Sequence, residues 1–307
     1  MSLWGTLGAS LLAVLARPST WAFGLLGFLV RGGWLLMVAP IVVVPTPVGL
    51  ANIVAPILED VAFGRRTADL ALLAAGIGLA LLVWLVGGGL IAAAAEAEGV
   101  REVAEEEHLP VHGHGATRRI LAARLLALVP LAIGVTWAVT RIVAVAYREL
   151  TVPSDVAVPA AWRIVAGAPE AFVIVALTYL FSEIVGAISA RRIVLEGSGP
   201  IASLRAGERL LRTRPWRSLA LALITNAVVV VVLLTTGLAA SATWDALGTA
   251  LGLGEASALT TLLLIAFVGL FIGGLVLTSL ACAWRAAVWT LDQGGTFGGV
   301  DGTRSSG

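Results

Sequence analysis

Four long stretches of this chain contain no charged residue. They run from Gly32 to Leu58, Leu70 to Ala95, Ser218 to Trp244 and Ala256 to Trp284. An α-helix rises about 1.5 Å per residue, so about 20 residues cross a hydrocarbon core roughly 30 Å thick, and each stretch is longer than that. Only 13% of the residues are charged, whereas soluble domains average about 25%. We therefore predict an all-α fold, a polytopic transmembrane helical bundle.

Two further apolar segments carry an occasional charge and complete a set of about six spans. We predict a single transmembrane domain over 1–292, with spans at 19–45, 69–95, 119–147, 168–191, 217–243 and 257–285, and a disordered Gly/Ser-rich tail over 293–307. A kink is expected in the first span at Gly32 and Gly33. Pro169 and Glu170 suit the first turn of the fourth span. For Pro45 to Arg66, a re-entrant segment and an external loop are alternative interpretations.

The distribution of arginine orients the spans. All 20 basic residues are Arg, and the loops predicted on one side hold most of them. Because translocated loops are depleted in Arg, that side is cytoplasmic, and both termini are predicted to be cytoplasmic. The Ala-, Gly-, Val-, Leu- and Arg-rich composition is typical of a GC-rich bacterial genome, so we predict a multi-pass protein of the bacterial plasma (inner) membrane. Leu3 to Ala16 is expected to form a short helix on or dipping into the inner interface.

Tryptophan side chains favour the membrane interface. Those that fall near predicted span ends are Trp4, Trp21, Trp162, Trp216, Trp244, Trp284 and Trp289. We expect these seven residues to lie at the interface.

The inner ends of the second, fourth and sixth spans resemble one another. Each is a run of small residues that meets a charge, at Ala92 to Glu96, Gly186 to Arg191 and Leu280 to Arg285, about every 95 residues. One interpretation is three repeated helical hairpins related by an axis along the membrane normal. The other is that all inner interfaces look alike in proteins rich in Ala and Arg.

Three polar residues fall inside predicted spans, where an unpaired charge is costly. Arg31, Glu183 and Asn226 lie roughly 18, 12 and 14 Å from the inner face at 1.5 Å per residue. These depths predict one buried polar cluster. It forms either a substrate or proton path, or a structural Arg–Glu pair with Asn bonding between helices.

The cytoplasmic segments carry opposite charges. Glu96 to Arg119 holds six Glu against three Arg, and Arg191 to Arg217 holds seven Arg against two Glu. Either the two segments attract each other, or the basic one contacts anionic lipid headgroups on the cytoplasmic side, which we favour. Gly199-Pro200 opens an amphipathic helix there, expected to lie in the headgroup plane. The predicted lipid-contacting residues are Arg205, Arg209, Arg212, Arg214 and Arg217.

Signals for catalysis, metals and cofactors are weak. His108, His112 and His114 follow the acidic run, but Pro110 and Gly113 make this region a loop, so a flexible solvated linker is favoured over a metal site. The chain has no H-E-x-x-H, no G-x-S-x-G and no phosphate loop ending in Lys. We predict no catalytic residue, no metal and no cofactor. The net charge of +1 argues against nucleic acid as a partner.

Short motifs support a resemblance at the level of topology. Arg17-Pro18 to Trp21, Arg31-Gly32-Gly33 and Pro45 to Leu50 resemble uncharacterised bacterial six-span integral membrane proteins. Gly199 to Trp216 is similar to the membrane domain of glycerophosphodiester phosphodiesterases. The chain has no phosphodiesterase catalytic domain, so the resemblance implies a membrane fold and no hydrolytic activity.

These features predict a non-enzymatic scaffold or accessory membrane subunit. The alternative is a small transporter or lipid-handling permease built around Arg31, Glu183 and Asn226, and a membrane-embedded enzyme ranks third. The expected partners are the lipid bilayer and either another membrane protein or further copies of the same chain.

Overall fold

The fold is helical throughout the part of the chain that can be described. The structure is a computed structural model that describes residues 2–41, 67–152, 154–155, 157–252 and 258–301. No strand occurs among these residues, which confirms the all-α prediction. The segment Pro45 to Arg66 lies outside them.

Six helical stretches are long and apolar enough to cross a membrane. They are Ser19–Val38, Ala71–Glu106, Ala116–Thr151, Pro169–Glu196, Pro215–Gly252 and Ala258–Gly294. The chain is therefore an integral membrane protein with a bundle of about six spans, as the uncharged stretches predict.

The helices follow one another in this order: α1 (Leu3–Ala16), α2 (Ser19–Phe28), α3 (Trp34–Val38), α4 (Thr67–Val83), α5 (Gly89–Glu106), α6 (Ala116–Ala127), α7 (Val129–Thr151), α8 (Ala160–Gly167), α9 (Pro169–Glu196), α10 (Pro200–Thr213), α11 (Pro215–Gly252) and α12 (Ala258–Asp301). π-helical turns at Leu29–Gly33 and Trp84–Gly88 join α2 to α3 and α4 to α5, and a 3-10 turn, Ala39–Ile41, follows α3.

Glycine and proline set the breaks between these helices. Gly32 has φ 100°, a conformation open to glycine because it lacks a Cβ atom, and the predicted kink of the first span is confirmed. The third span is broken at Leu128, although the sequence predicts one helix there. Pro130 in the first turn of α7 explains the break, because proline has no amide hydrogen to continue the helical ladder. Pro169 and Glu170 begin α9 as predicted.

The order of elements repeats along the chain. Each short helix, α1, α6 and α10, is followed by a proline, Pro18, Pro130 or Pro215, and then by two long helical stretches. This order supports the threefold repeat, which stays a prediction.

The chain divides into two compact units. Unit 1 comprises Met1–Phe23, Glu96–Val228 and Ala283–Gly307, and unit 2 comprises Gly24–Ala95 and Val229–Cys282. The single transmembrane domain over 1–292 stays a prediction.

The core of unit 1 joins α1, α9, α11 and α12. Its buried members include Leu7, Ile188, Leu221 and Trp289, and Leu211 of α10 packs against them. Close packing of these side chains stabilises the contact among the four helices, since lipid tails are as apolar as the side chains themselves.

Unit 2 is more thinly packed. Val229, Ala281 and Cys282 form a small buried cluster against Phe28. The described side chains of α4 are exposed along its length, from Ala71 to Val83. An apolar helix with so little burial inside the chain is expected to face lipid or another membrane helix.

Five helices continue beyond the ends of their predicted spans, including α7 to Thr151 and α11 to Gly252. The other three extend at ends predicted to be cytoplasmic. α5 reaches Glu106, α9 reaches Glu196 and α12 reaches Asp301, which is inside the segment predicted as a disordered tail. Trp289 lies on the extension of α12, and only 2% of it is exposed, so it packs against protein, and its depth at the membrane interface stays a prediction. The helices α5, α9 and α12 continue past their apolar runs because the extensions pack against other residues of unit 1.

Candidate functional site

Charged side chains from four helices and an asparagine from a fifth meet inside unit 1. We call this set the ion-pair cluster. Its members are Glu96 on α5, Arg124 on α6, Glu183 and Arg191 on α9, Asn226 on α11 and Arg285 on α12.

Glu96 is the acceptor at the centre of the cluster. It accepts hydrogen bonds from Arg124 Nε at 3.1 Å and Nη2 at 2.5 Å, and from Arg191 Nη1. Arg191 also donates to the carbonyl oxygens of Ala187, at 3.1 Å, and Ala286, at 3.3 Å. The side chains of Arg191 and Glu96 are only 3% and 7% exposed. Arg191 therefore connects α9 to both α5 and α12 in a place that is nearly closed to solvent.

Glu183 extends the cluster towards α11. One carboxylate oxygen lies 3.6 Å from Arg124 Nη1, and the other lies 4.0 Å from Arg285 Nη1. The same Arg285 nitrogen donates to Asn226 Oδ1 at 2.9 Å, and Asn226 Nδ2 donates to the Ala222 carbonyl at 2.8 Å. Charges of opposite sign thus alternate from Arg191 through Glu96, Arg124 and Glu183 to Arg285.

Small residues allow the long arginine side chains to reach these positions. A Cβ atom added to Gly186 would lie 2.7 Å from Arg124 Nη1, which is too close for an unmoved guanidinium. Ala92, Ala93 and Ala95 are buried just before Glu96 on α5. At the inner end of the fourth span, the lack of a side chain at Gly186 therefore leaves the space that the Arg124 guanidinium occupies.

The structure brings two of the three predicted polar residues together. Glu183 and Asn226 both contact Arg285. Arg31 belongs to unit 2, where it is exposed, and its membership of the cluster stays a prediction.

Four members of the cluster were missed by sequence reasoning, because three of them fall at or just beyond a predicted span end and the fourth, Arg124, lies near the start of the third predicted span. They are Glu96, Arg124, Arg191 and Arg285. The spacing of the span ends is the signal that could have identified them. Glu96 and Arg191 are 95 residues apart, and so are Arg191 and its acceptor Ala286.

The predicted attraction between acidic and basic segments is seen in the pair of Glu96 and Arg191. Two other glutamates of the acidic run bond to residues near the start of the chain. Glu106 accepts a hydrogen bond from Arg17 Nε at 2.7 Å, and Glu102 accepts one from Ser19 Oγ at 2.5 Å. These bonds fix the end of α5 to the junction between α1 and α2.

The loop that carries the histidines lies against the end of α9, unlike the flexible linker we predict. The amide of His112 donates to the Leu195 carbonyl at 3.2 Å, and that of Gly113 donates to the Val194 carbonyl at 2.9 Å. The last carbonyls of a helix have no partner within the helix, and this loop supplies donors to two of them. In the described part of the chain, no group of three or more His, Cys, Asp or Glu is placed to hold a metal ion.

The five arginines predicted to contact lipid fall into two groups. Arg205, Arg209, Arg212 and Arg214 are exposed. Arg217 instead donates to Asp292 Oδ1 at 2.7 Å and to Thr6 Oγ1 at 3.1 Å, so it has a structural role between α11, α12 and α1.

A second buried carboxylate, that of Glu149, bonds the end of α7 to the segment before α8 and to α8 itself. Glu149 accepts hydrogen bonds from the amide of Ser154 at 3.0 Å and from its hydroxyl at 2.8 Å, and Arg163 Nε lies 3.5 Å away. The local sequence does not indicate this contact, because Glu149 lies just past the third predicted span, where a charged residue is ordinary.

Comparisons of the chain with protein-family models, with curated proteins and with solved structures find no match. The resemblance to the membrane domain of glycerophosphodiester phosphodiesterases therefore stays a prediction, and the function has to be argued from the geometry of the ion-pair cluster.

Proposed function

We propose that this membrane protein is a non-enzymatic scaffold or accessory subunit of the bacterial inner membrane. The observation that carries the proposal is the internal pairing of the ion-pair cluster. Each ionised member, from Arg191 to Arg285, contacts another polar group of the chain.

Such pairing favours architecture over transport. A transported ion or proton needs a group that exchanges partners at low cost. Arg191 has three acceptors, on α5, α9 and α12, and its side chain is nearly closed to solvent. Removing one partner of a buried ion pair typically costs about 3–5 kcal/mol, because the other charge stays buried and uncompensated. A site of this kind fixes which helices are neighbours.

A scaffold also needs membrane-facing surface that other proteins can contact. The exposed length of α4 offers such a surface, including Leu72, Leu79 and Leu82. Lipid tails are as apolar as these side chains, so contact there would depend on close packing and would be specific in shape rather than in charge.

Two measurements test the scaffold. In the first, the tagged full-length chain is taken from native membranes directly into polymer nanodiscs, and the stoichiometry of co-isolated protein is measured at several expression levels. We expect a fixed ratio to another membrane protein or to further copies of the chain.

The second measurement places the chain in proteoliposomes that contain a pH-sensitive dye and carry a potassium diffusion potential. We expect the proton flux to equal that of protein-free liposomes, and Glu183→Gln to leave it unchanged. If the chain is isolated as a single copy and shows a proton flux that requires Glu183, the scaffold hypothesis is refuted and the transporter hypothesis replaces it.

A further inference from the structure

The two faces of α10 have different surroundings. Ser203 and Gly207 are buried, and a Cβ atom on Gly207 would lie 3.2 Å from the Val185 carbonyl of α9. Leu210 and Leu211 pack against the core of unit 1. The apolar side that an amphipathic helix would insert into a bilayer is therefore occupied by protein, and the position of α10 in the headgroup plane stays a prediction.

The outward face of α10 is basic. Residues three or four positions apart share a side of a helix, and Arg205, Arg209 and Arg212 are spaced in this way and exposed. Glu208 pairs with Arg212 on this face. No carboxylate in the described part of the chain lies within ion-pair distance of Arg205 or Arg209.

The outward face of α1 is apolar. Trp4, Leu11, Leu12 and Leu15 are all exposed, and Trp4 is 75% exposed. α1 has 14 residues, which is too short to cross a bilayer. Its opposite side is anchored, because Leu7 belongs to the core of unit 1 and its carbonyl accepts a hydrogen bond from Trp284 Nε1 at 3.1 Å.

α1 and α10 are held in the same unit by shared contacts. Leu3 and Leu7 of α1 and Leu210 and Leu211 of α10 belong to one core cluster. Trp216, at the start of α11 directly after α10, is 81% exposed. Exposed tryptophan, an apolar face and a basic face are the components that bind the surface of an anionic bilayer.

We propose that the exposed faces of α1 and α10 form one anionic-lipid surface, in which α1 enters the acyl-chain boundary and the arginines of α10 bind headgroup phosphates. The occupant is bilayer phospholipid with a net negative headgroup. Unit 1 then becomes more stable when such lipid is present, since a ligand that binds only the folded state stabilises it. This inference does not depend on the scaffold role.

The test uses the full-length chain in nanodiscs of phosphatidylcholine, with or without phosphatidylglycerol. Native mass spectrometry measures the lipid retained, and the midpoint of thermal unfolding measures stability. One arginine near an anionic surface favours binding roughly fivefold. We expect retained phosphatidylglycerol to be enriched over the bulk mixture by at least that factor, and the unfolding midpoint to rise with it.

Matched double variants assign the effect to α10. Arg205→Gln with Arg209→Gln should abolish both the enrichment and the rise in midpoint, and the corresponding double Lys variant should keep them because the charges remain. Arg141→Gln with Arg148→Gln, on α7, is the control for loss of two exposed arginines and should keep the enrichment.

The apolar half of the surface has its own variant. Leu12→Gln on α1 should reduce the number of retained lipids of either headgroup. The proposal is overturned if the α10 double variant keeps its preference for phosphatidylglycerol, or if the control loses it equally. It is also overturned if inorganic phosphate in neutral nanodiscs raises the midpoint as much, because the arginines would then bind free anions.

Discussion

Neutralising Glu96 is the sharpest perturbation of the ion-pair cluster. Glu96→Gln keeps the size of the side chain and removes the charge that Arg124 and Arg191 share. The glutamine oxygen can still accept a hydrogen bond, but both guanidinium groups lose their common carboxylate. Five helices contribute to the cluster, so the change should weaken the assembly of unit 1 as a whole.

The size of the destabilisation follows from the two arginine partners of Glu96 and from the usual cost of unpairing a buried charge. Loss of one partner from a buried pair costs about 3–5 kcal/mol, and a hydrogen bond to a charged group contributes about 1.5–3 kcal/mol. Glu96 accepts from two arginines. We therefore expect a loss of about 3 kcal/mol or more. Glu98→Gln is the matched control two residues away, because Glu98 is 48% exposed and exposed pairs contribute about 1 kcal/mol or less.

Equilibrium unfolding in mixed detergent micelles, followed by tryptophan fluorescence, compares the two variants with the unmodified chain. A second substitution, Arg191→Gln, in the Glu96→Gln background should recover part of the loss, because it removes one of the uncompensated charges. A coupling of about 0.5–3 kcal/mol between the two sites is expected for residues in contact.

If Glu96→Gln is no more destabilising than Glu98→Gln, the Glu96 carboxylate does not stabilise unit 1 in the way described. The coupling of the two sites is refuted if adding Arg191→Gln lowers stability by the full cost of that single change, because the two sites would then be independent.

Three further predictions concern packing and ion pairing elsewhere in unit 1. Trp289→Ala should cost about 3–5 kcal/mol because Trp289 is buried in the core of unit 1, whereas Trp216→Ala, at an exposed tryptophan, should cost little by the same unfolding assay. Gly113→Ala should lower the free energy of unfolding by about 1–3 kcal/mol, since the new Cβ atom would lie 2.8 Å from Val194 Cα. Gly199→Ala is the control, because a Cβ atom there meets nothing within 4 Å. Equal unfolding midpoints for the two variants would refute this prediction. Arg217→Gln should lower the midpoint equally in neutral and anionic nanodiscs, because Arg217 binds Asp292; a loss confined to anionic nanodiscs would contradict that assignment.

The spans were predictable because a bilayer imposes a length and a composition on any helix that crosses it. The kink at Gly32, the start of α9 at Pro169 and the start of α10 at Pro200 also follow from local chemistry. The break before α7 was missed, although Pro130 is visible in the sequence, because hydropathy alone favours one continuous span.

Only two of the six members of the ion-pair cluster were predictable. Glu183 and Asn226 stand out because they interrupt apolar runs. Glu96 and Arg191 lie where the apolar runs end, and charge at such a position is ordinary in any membrane protein. Their pairing depends on α5 and α9 continuing as packed helices past the membrane-spanning part, which is a tertiary property that no local pattern encodes.

The most direct test of the account is the sidedness of the loops that flank the third span. In a Cys282→Ala background, His114→Cys and Ala157→Cys each place one exposed thiol before α6 and after α7. A membrane-impermeant maleimide is applied to spheroplasts of a bacterial host. We expect Ala157→Cys to react in intact spheroplasts and His114→Cys to react only after permeabilisation. Labelling of both thiols in intact spheroplasts, or of neither, would show that Ala116–Thr151 does not cross the membrane and would contradict the six-span account.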